Sequence, residues 1–323
     1  MNLEIQRWIS FAKSSAGYCI SADRNGQLVV IGHEYGAEIY NVVGEFILSY
    51  PPEYVEFPII DIVTDFETKR AYLLNRQGQL IFLDLDKNGD KLNLSASILY
   101  KSRNSDLKSL AISSDGSKLA LGYMSPGLAI FQKDGTYKRK HPDDGTATKG
   151  SYWSVALNGN GSKLYAGSAS IDSGLNSVVC YEINQANLTE ISIQYRLPIR
   201  SFIKQVFFAK NTVWVVAGIW DEMIGAIEDH VIALSETLEE KIWDVRFNDA
   251  VTACAVSPER LIIMLSIGYF GKIAMLDGNT GQTIKYEQEI ILHTMANDIV
   301  IDDDGRAAAV TEDGHLVLFR YSE

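Results

Sequence analysis

Two aspartates and one asparagine are the side chains of this sequence that come closest to a metal site by type and placement. Asp61 and Asp298 occupy equivalent positions in two repeated segments, and Asn297 precedes Asp298. Carboxylate and carbonyl oxygens suit hard cations, and His33 or His293 could add a nitrogen ligand. Two carboxylates without an ordered histidine cluster form no diagnostic metal motif. The alternative is a set of polar side chains that hydrogen-bond to trapped water.

Other patterns of catalytic residues are absent from the sequence. It contains no P-loop, no G-x-S-x-G nucleophile elbow and no H-E-x-x-H zinc motif. Three cysteines, Cys19, Cys180 and Cys254, stand alone in apolar stretches, which is typical of core thiols in a reducing compartment. We therefore assign no catalytic residue, no metal and no cofactor from the sequence.

Composition and charge exclude several classes of protein. Of the 323 residues, 46% are hydrophobic and 22% charged, which excludes wholesale disorder. The formal net charge of −12 argues against binding to nucleic acid or to anionic lipid. Glu4 and Arg7 interrupt the apolar run that a secretion signal needs, and the most apolar run, 261–268, is shorter than the ~20 residues that span a bilayer. We expect a cytoplasmic protein that does not enter the membrane.

Seven internal repeats organise the chain. The clearest copies are SSDGSKLALG (113–122), NGNGSKLYAG (158–167) and DDDGRAAAVT (302–311), in which a polar turn precedes a short apolar run. The ends of the seven copies recur every 42 to 51 residues. Each unit contains short runs of strand type bounded by Gly and Asp. A period of about 40 to 50 residues with four strands per unit is that of a β-propeller.

The repeats predict an all-β fold, a seven-bladed β-propeller with four-stranded antiparallel blades. The last unit lacks a fourth strand, so we expect residues 3–10 to supply it and to close the ring. The basic run 137–141 is expected on an outer strand, where lysines protect an exposed edge. The chain is predicted to be one domain, 1–323, with blades at 17–56, 57–106, 107–150, 151–200, 201–248, 249–293, and 294–323 plus 2–10.

The repeats resemble those of WD-repeat proteins and of YVTN-like bacterial propellers. The resemblance rests on the recurring S-x-D-G-x-x-L-A-x-G pattern and on the following strands GLAIF, SVVCY and HLVLF. No unit starts with Gly-His, and Trp243-Asp244 falls in a fourth strand rather than at the end of a third. The resemblance implies that partners bind at the loops joining second to third strands, and that first strands line a central channel.

Large apolar side chains are concentrated in these second-to-third loops. Several aromatic groups on one rim indicate a contact surface for a partner, although each could instead fold down as a lid on the core. The long loops 168–177 and 219–229 are expected to determine specificity, and their acidic residues favour a partner with a basic surface. The predicted rim residues are Tyr35, Tyr123, Met124, Trp220, Met223, Tyr269 and Phe270.

The sequence therefore predicts a non-catalytic scaffold or adaptor for protein–protein interaction, monomeric on its own. Two alternatives remain open. One is a metal-assisted hydrolase or lyase similar to the propeller lactonases, which place metal ligands centrally. The other is a small-ligand sensor. Both would use the channel mouth at Asp61, Asn297 and Asp298.

Overall fold

The computed structural model of the chain consists of strands, turns and bends. It describes residues 2–322 except 12–15, 23–27, 52–55, 66–69, 89–90, 103–106, 125–126, 133–136, 141–151, 169–175, 185–187, 199, 222, 224–225 and 285–288. Within these ranges, no helix has the length and hydropathy needed to cross a membrane.

Four sheets belong to a first compact unit, formed by residues 1–105, 252–278 and 282–323. Their strand orders are β2-β3-β4-β5, β6-β7-β8-β9, β22-β23-β24 and β1-β27-β26-β25. The strands are β1 (Asn2–Ser10), β2 (Gly17–Ala22), β3 (Leu28–His33), β4 (Gly36–Asn41), β5 (Phe46–Tyr50), β6 (Ile59–Asp65), β7 (Arg70–Asn75), β8 (Gln79–Asn88), β9 (Lys91–Lys101), β22 (Val251–Val256), β23 (Ile262–Ile267), β24 (Lys272–Asp277), β25 (Ala296–Ile301), β26 (Arg306–Thr311) and β27 (His315–Ser322).

Three sheets belong to a second compact unit, formed by residues 106–251 and 279–281. Their strand orders are β10-β11-β12-β13, β14-β15-β16-β17 and β18-β19-β20-β21. The strands are β10 (Leu107–Ile112), β11 (Lys118–Tyr123), β12 (Leu128–Gln132), β13 (Tyr137–Lys140), β14 (Tyr152–Leu157), β15 (Lys163–Ser168), β16 (Ser177–Ile183), β17 (Leu188–Arg196), β18 (Phe202–Ala209), β19 (Thr212–Asp221), β20 (Ala226–Ser235) and β21 (Lys241–Phe247).

Seven consecutive antiparallel sheets are the blades of a seven-bladed β-propeller, so the predicted fold class is confirmed. The N-terminal strand completes the last sheet as expected, because β1 pairs antiparallel with β27 from Asn2 opposite Ser322 to Ser10 opposite His315. The sixth sheet is described only in part, because residues 285–288 lie outside the described residues. Its described part has three strands, and two isolated bridges from β24, Lys272 to Ile291 and Leu276 to Thr283, stand where a fourth strand was expected.

The repeated polar turns fold alike because their side chains cap the backbone. The glycine of each clear copy has positive φ, for example 65° at Gly116 and 63° at Gly161. Ser113 Oγ accepts the N–H of Lys118 at 3.0 Å, and Asn158 Oδ1 accepts the N–H of Lys163 at 2.9 Å. Each such turn ends a first strand and starts a second one in register.

The core of each unit lies between neighbouring sheets. In the first unit, Val30 and Ile39 of one sheet share a cluster with Leu73 and Ile81 of the next. The second and third strands are buried on both faces, which explains their continuous apolar runs. Outer strands such as β21 alternate between exposed and half-buried residues. The basic strand β13 lies at a sheet edge, as predicted.

Candidate docking surface and first-strand positions

A β-bulge recurs in the first strand of six sheets, at the same position of the repeat. The register shifts between Ile59 and Asp61, and the same shift is found in five other first strands. A bulge of this kind re-aims a side chain and leaves a backbone group outside the ladder. We call the residue after the shift the post-bulge position. Its occupants are Cys19, Asp61, Ser109, Ser154, Gln205 and Asp298.

The carboxylate of Asp298 bonds to the backbone of the neighbouring sheet. Its Oδ2 accepts the N–H of Ile20 in β2 at 3.0 Å, and its Oδ1 accepts the N–H of Ile299 at 2.9 Å. Asn297 adds a bond in the same direction, because its Nδ2 donates to the carbonyl of Gly17 at 2.7 Å. These two predicted site residues therefore tie β25 to β2.

The same contact recurs in the second unit with a hydroxyl in place of a carboxylate. Ser154 Oγ accepts the N–H of Val206 at 2.9 Å. Val206 follows the post-bulge residue Gln205 of its strand, as Ile20 follows Cys19. In both units, the oxygen of a post-bulge side chain thus accepts a backbone N–H from the neighbouring sheet. The donor is the residue after the post-bulge residue of that sheet, and the bond satisfies this N–H group.

Asp61 and Cys19 occupy the post-bulge position in two other sheets of the first unit. Asp61 Oδ1 accepts the N–H of Ile62 at 2.9 Å, and Cys19 Sγ donates to the carbonyl of Ile59 at 3.7 Å. Burial raises the pKa of the Cys19 thiol well above its usual range, and the charges of Asp61 and Asp298 raise it further. Cys19 is therefore a protonated, buried thiol rather than a nucleophile.

The pKa of Asp298 is raised to about 7, chiefly because burial strips water from its charged form. The N–H bonds from Ile20 and Ile299 oppose this shift. Asp298 keeps some solvent-accessible surface, although the protein around it removes most of its hydration. Among the described residues there is no group of three or more His, Cys, Asp or Glu side chains placed to hold a metal ion.

The most exposed aromatic pair of the predicted rim lies on the turn between β23 and β24. Tyr269 is 77% exposed and Phe270 is 72% exposed. We call Gly268–Gly271 the docking turn. Gly271 N–H donates to the carbonyl of Gly268 at 3.1 Å, and both glycines have positive φ, 70° and 62°. Two adjacent rings therefore stand in solvent on a tight turn.

The backbone of the docking turn is fixed by the segment that leads into β25. A Cβ on Gly271 would lie 2.2 Å from the carbonyl oxygen of Thr294, so only glycine fits. The N–H of Leu292 donates to the carbonyl of Gly271 at 3.2 Å. Ile291 is exposed and bridges to Lys272 at the base of the turn. Ile291 was missed by the sequence analysis, and its signal was the apolar run 290–292 beside two acids.

An acidic turn adjoins the docking turn through Thr294. The Thr294 side chain hydrogen-bonds to Asp313 in the turn between β26 and β27. Asp313 Oδ1 also accepts from Thr311 Oγ1 at 2.6 Å and lies 3.1 Å from His315 Nδ1. Although burial opposes it, these hydrogen bonds lower the pKa of Asp313, so its charge is maintained. Glu312, the preceding residue, is exposed.

The other predicted rim residues differ in exposure. Tyr35 is half-buried and donates its N–H to His33 Nδ1 at 3.0 Å. Met124 is exposed, whereas Tyr123 is fully buried at the end of β11 and cannot be a surface anchor. This corrects the expectation for Tyr123, which is a core residue as in the lid alternative. Met223 is 96% exposed, and the side chain of Trp220 lies outside the described part of the structure.

The predicted long loop 219–229 is wrong. β19 continues to Asp221 and β20 begins at Ala226, so most of this range is a two-stranded hairpin. Its acids are paired: Arg246 binds Glu228 and lies 3.6 Å from Asp221, and Asp229 binds Lys204. These carboxylates are therefore not free to attract a basic partner. In the other expected specificity loop, 168–177, residues 169–175 lie outside the described residues.

Comparison with known proteins leaves the family open. No protein-family model matches the sequence, and no curated protein is matched significantly.

Proposed function

We propose that this protein is a non-catalytic interaction module that binds a partner protein through the docking turn of its first unit. The observation that carries the proposal is the pair Tyr269 and Phe270, adjacent and largely exposed on a turn whose backbone is fixed. Large aromatic groups in solvent contribute little to folding. They are the groups that dominate binding energy when a partner buries them.

The rigidity of the docking turn favours affinity. Gly271 is confined between the carbonyl of Gly268 and that of Thr294, so the two rings start from a defined backbone. A preorganised turn loses less conformational entropy on binding than a flexible loop. An aromatic anchor in a desolvated pocket contributes on the order of 2 kcal/mol or more. Ile291, exposed beside Lys272, would extend the same apolar contact.

The partner is proposed to carry basic residues next to its apolar pocket. Glu312 is exposed, and Asp313 is held ionised by Thr311 and His315. Thr294 connects this acidic turn to the docking turn through direct contacts. Opposite charges at the margin of an interface raise the association rate more than the final affinity. Binding should therefore slow as salt concentration rises.

We further propose that the repeats are of the WD-repeat-like or YVTN-like type and that the protein works in the cytoplasm. The repeat pattern supports the first point. Three free cysteines, all buried, are consistent with a reducing compartment. A net charge of −12 opposes self-association, which supports a monomer in the absence of a partner.

The two alternative functions, which would use residues of the first strands, receive less support than a docking function. A metal-assisted hydrolase or a ligand sensor would need oxygens of Asp61, Asn297 and Asp298 turned toward a ligand. Both carboxylate oxygens of Asp298 instead accept backbone N–H bonds, and the Asn297 amide donates to Gly17. These contacts support a structural role in joining two sheets.

The proposal is tested by affinity capture from cells that express the protein naturally, followed by mass spectrometry. The variant is Tyr269→Ser with Phe270→Ser, and the matched control is Ile242→Ser, an exposed apolar residue on the edge strand β21. A protein retained by the wild type and the control but lost by the double variant supports the docking turn. Direct titration of that protein should show at least about a thirtyfold loss of affinity. Equal binding to all three forms contradicts the proposal.

A further inference from the structure

The outer strand of the last sheet, β1, places a tryptophan on the face that packs against the sixth sheet, which carries the docking turn. Leu3 and Ile5 of β1 pack with the apolar cluster between these two sheets. A bulge then shifts the pairing, so that Trp8 lies opposite Val317, a residue of the same cluster. Because a bulge re-aims the side chains that follow it, Trp8 rather than Arg7 shares the face of Leu3 and Ile5.

Trp8 is exposed where this face reaches solvent. Its side chain is 42% exposed, whereas Leu3 on the same face is buried. Its ring meets the ring of His315 edge to face, with 5.7 Å between the centroids. Tryptophan is among the residues that contribute most to binding when a partner buries them. Trp8 therefore has the properties of a second aromatic anchor, on the sheet next to that of the docking turn.

A series of contacts connects Trp8 to the docking turn through the acidic turn, Glu312–Gly314. His315 Nδ1, beside the Trp8 ring, lies 3.1 Å from Asp313 Oδ1. Asp313 in turn bonds to the side chain of Thr294, and the carbonyl of Thr294 lies against the docking turn. Trp8, the acidic turn and the docking turn therefore follow one another along the first unit. We call Trp8, Glu312, Asp313, Tyr269 and Phe270 the anchor row.

Backbone hydrogen bonds hold the acidic turn in the middle of the anchor row. The N–H of Glu312 donates to the carbonyl of Met295 at 2.9 Å, next to Thr294. On the other side, the N–H of Phe11 donates to the carbonyl of Gly314 at 3.0 Å, directly after β1. A surface whose parts are already joined loses less conformational entropy when it binds.

The charge of the anchor row indicates the kind of partner. Glu312 is exposed, and the side chain of Asp313 is 52% exposed. Two adjacent carboxylates thus stand between the aromatic pair and Trp8. A second copy of the chain would bring the same carboxylates and a net charge of −12, so repulsion opposes self-association here. A basic residue in a different protein is complementary to this charge.

We propose that the anchor row binds an extended segment of a partner protein in which a basic residue stands between two apolar anchors. One anchor covers Tyr269 and Phe270, the other covers Trp8, and the basic residue meets the acidic turn. Both anchors contribute affinity, while the carboxylates fix the register of the segment. This inference rests on the docking function proposed above and deepens it, because it names a second anchor and the form of the partner.

The test measures binding of synthetic peptides to the full-length protein by fluorescence anisotropy. Each peptide has blocked termini and two leucines separated by a serine spacer with Arg at its centre. Spacers of three, five and seven residues reach roughly 13, 20 and 26 Å when extended. The matched controls have Glu in place of Arg, or Ser in place of one leucine. We expect one Arg peptide to bind at least about tenfold more tightly than both of its controls.

Variants of the protein assign this binding to the anchor row. Trp8→Thr keeps a strand-forming residue and should lower the affinity for the Arg peptide at least about tenfold. Its control is Ile242→Thr, an exposed apolar residue on the edge strand β21, which should bind like wild type. Glu312→Lys should abolish the preference for Arg over Glu. Glu240→Lys, on an exposed carboxylate of the second unit, should retain that preference.

Nuclear magnetic resonance shows whether the peptide contacts Trp8 directly. The indole N–H signal of Trp8 is identified by its loss in Trp8→Thr and should shift in wild type as the Arg peptide is added. This measurement needs no stable variant under the binding conditions, so it decides the question if Trp8→Thr lowers the melting temperature. A Trp8 signal that stays in place while the peptide binds contradicts the second anchor.

The outcomes separate this inference from the docking function on which it rests. Binding that is lost in Tyr269→Ser with Phe270→Ser but survives Trp8→Thr leaves the docking turn standing and overturns the second anchor. Binding that needs Trp8 but survives the double variant contradicts both proposals. Equal binding of Arg and Glu peptides, or no binding of any Arg peptide up to about 1 mM, overturns the inference alone. A dimer of the free protein that Trp8→Thr dissociates would show that a second copy occupies the row.

Discussion

Asp298 and Ile20 are 278 residues apart in the chain, yet the Asp298 carboxylate accepts the backbone N–H of Ile20 at 3.0 Å. The bond joins the sheet of β1, β27, β26 and β25 to the sheet of β2 to β5, because β25 carries Asp298 and β2 carries Ile20. The same arrangement between Ser154 and Val206 shows that it belongs to the repeat. A residue that looked like a ligand is thus a connection between sheets.

Asp298→Asn should change how stability depends on pH. The folded-state pKa of Asp298 is about 7, above the value of about 3.9 in an unfolded chain. A raised pKa means that its stabilising contribution is complete below pH about 4 and is lost as pH rises toward 7. As pH rises from 5 to 8, the free energy of unfolding of the Asn variant should therefore increase relative to that of wild type by on the order of 1 to 3 kcal/mol.

The measurement for Asp298 is urea unfolding at several pH values from 5 to 8. Asp249→Asn, on an exposed carboxylate, is the control and should track wild type. A difference between Asp298→Asn and wild type that stays constant with pH would show that Asp298 does not titrate in this range.

Ser154→Ala should destabilise the second unit by about 1 to 3 kcal/mol, because it leaves the N–H of Val206 without its acceptor. Ser109→Ala is the matched control at the equivalent position. Within the described part of the structure, the buried Ser109 Oγ has no hydrogen-bond partner, so its removal should cost less than about 0.5 kcal/mol. Chemical denaturation measures both. Equal losses would mean that the Ser154 bond adds no stability.

Gly271→Ala should disturb the docking turn. Alanine at φ 62° costs about 1 to 2 kcal/mol, and its Cβ would also lie 2.2 Å from the Thr294 carbonyl. Gly159→Ala is the control, since the nearest atom there, Ser114 Oγ, is 4.0 Å from the added Cβ. Differential scanning calorimetry should show a lower melting temperature for Gly271→Ala alone. A neutral Gly271→Ala would mean that the turn relaxes freely.

Arg246→Gln should loosen the end of the hairpin formed by β19 and β20. Arg246 in β21 binds Glu228 and lies 3.6 Å from Asp221. Asp221 and Glu228 belong to the end of the hairpin that β21 does not cover, because the pairing of β20 with β21 stops at Asp229. A two-stranded ribbon is only marginally stable in water. Amide hydrogen exchange at 219–221 and 226–228 should become faster, while global stability changes by less than about 1 kcal/mol. Unchanged exchange would show that the ion pairs do not hold the hairpin.

Local sequence determined the elements and their order. The Asp-Gly and Asn-Gly turns favour positive φ, as seen at Gly116 and Gly161, and the short runs of β-branched and aromatic residues between them favour strands. The count of seven and the pairing of β1 with β27 follow from the number of runs and from the need to close an open edge. The turns and strands depend on residues that are close in sequence, whereas the pairing of β1 with β27 joins distant residues and was predictable because the last repeat lacked a strand.

Which side chains are exposed was decided by the tertiary structure. Tyr123 and Tyr269 both stand beside second-to-third turns, yet Tyr123 remains paired opposite Leu107 inside its sheet and is fully buried. Tyr269 lies beyond the end of β23, in a turn that Thr294 holds in place. Turn composition alone cannot distinguish them, because burial depends on where pairing stops and on what packs above it.

The chemistry of the first strands shows the same division. The repeats put Asp61, Ser154 and Asp298 at equivalent positions, and each of them follows a bulge in the first strand of its own sheet. Whether those oxygens face a ligand or a backbone N–H depends on the neighbouring sheet, whose residues are distant in the chain. Spacing along the sequence determines which side chains occupy equivalent positions of the repeat. Packing between neighbouring sheets determines what each of these side chains contacts.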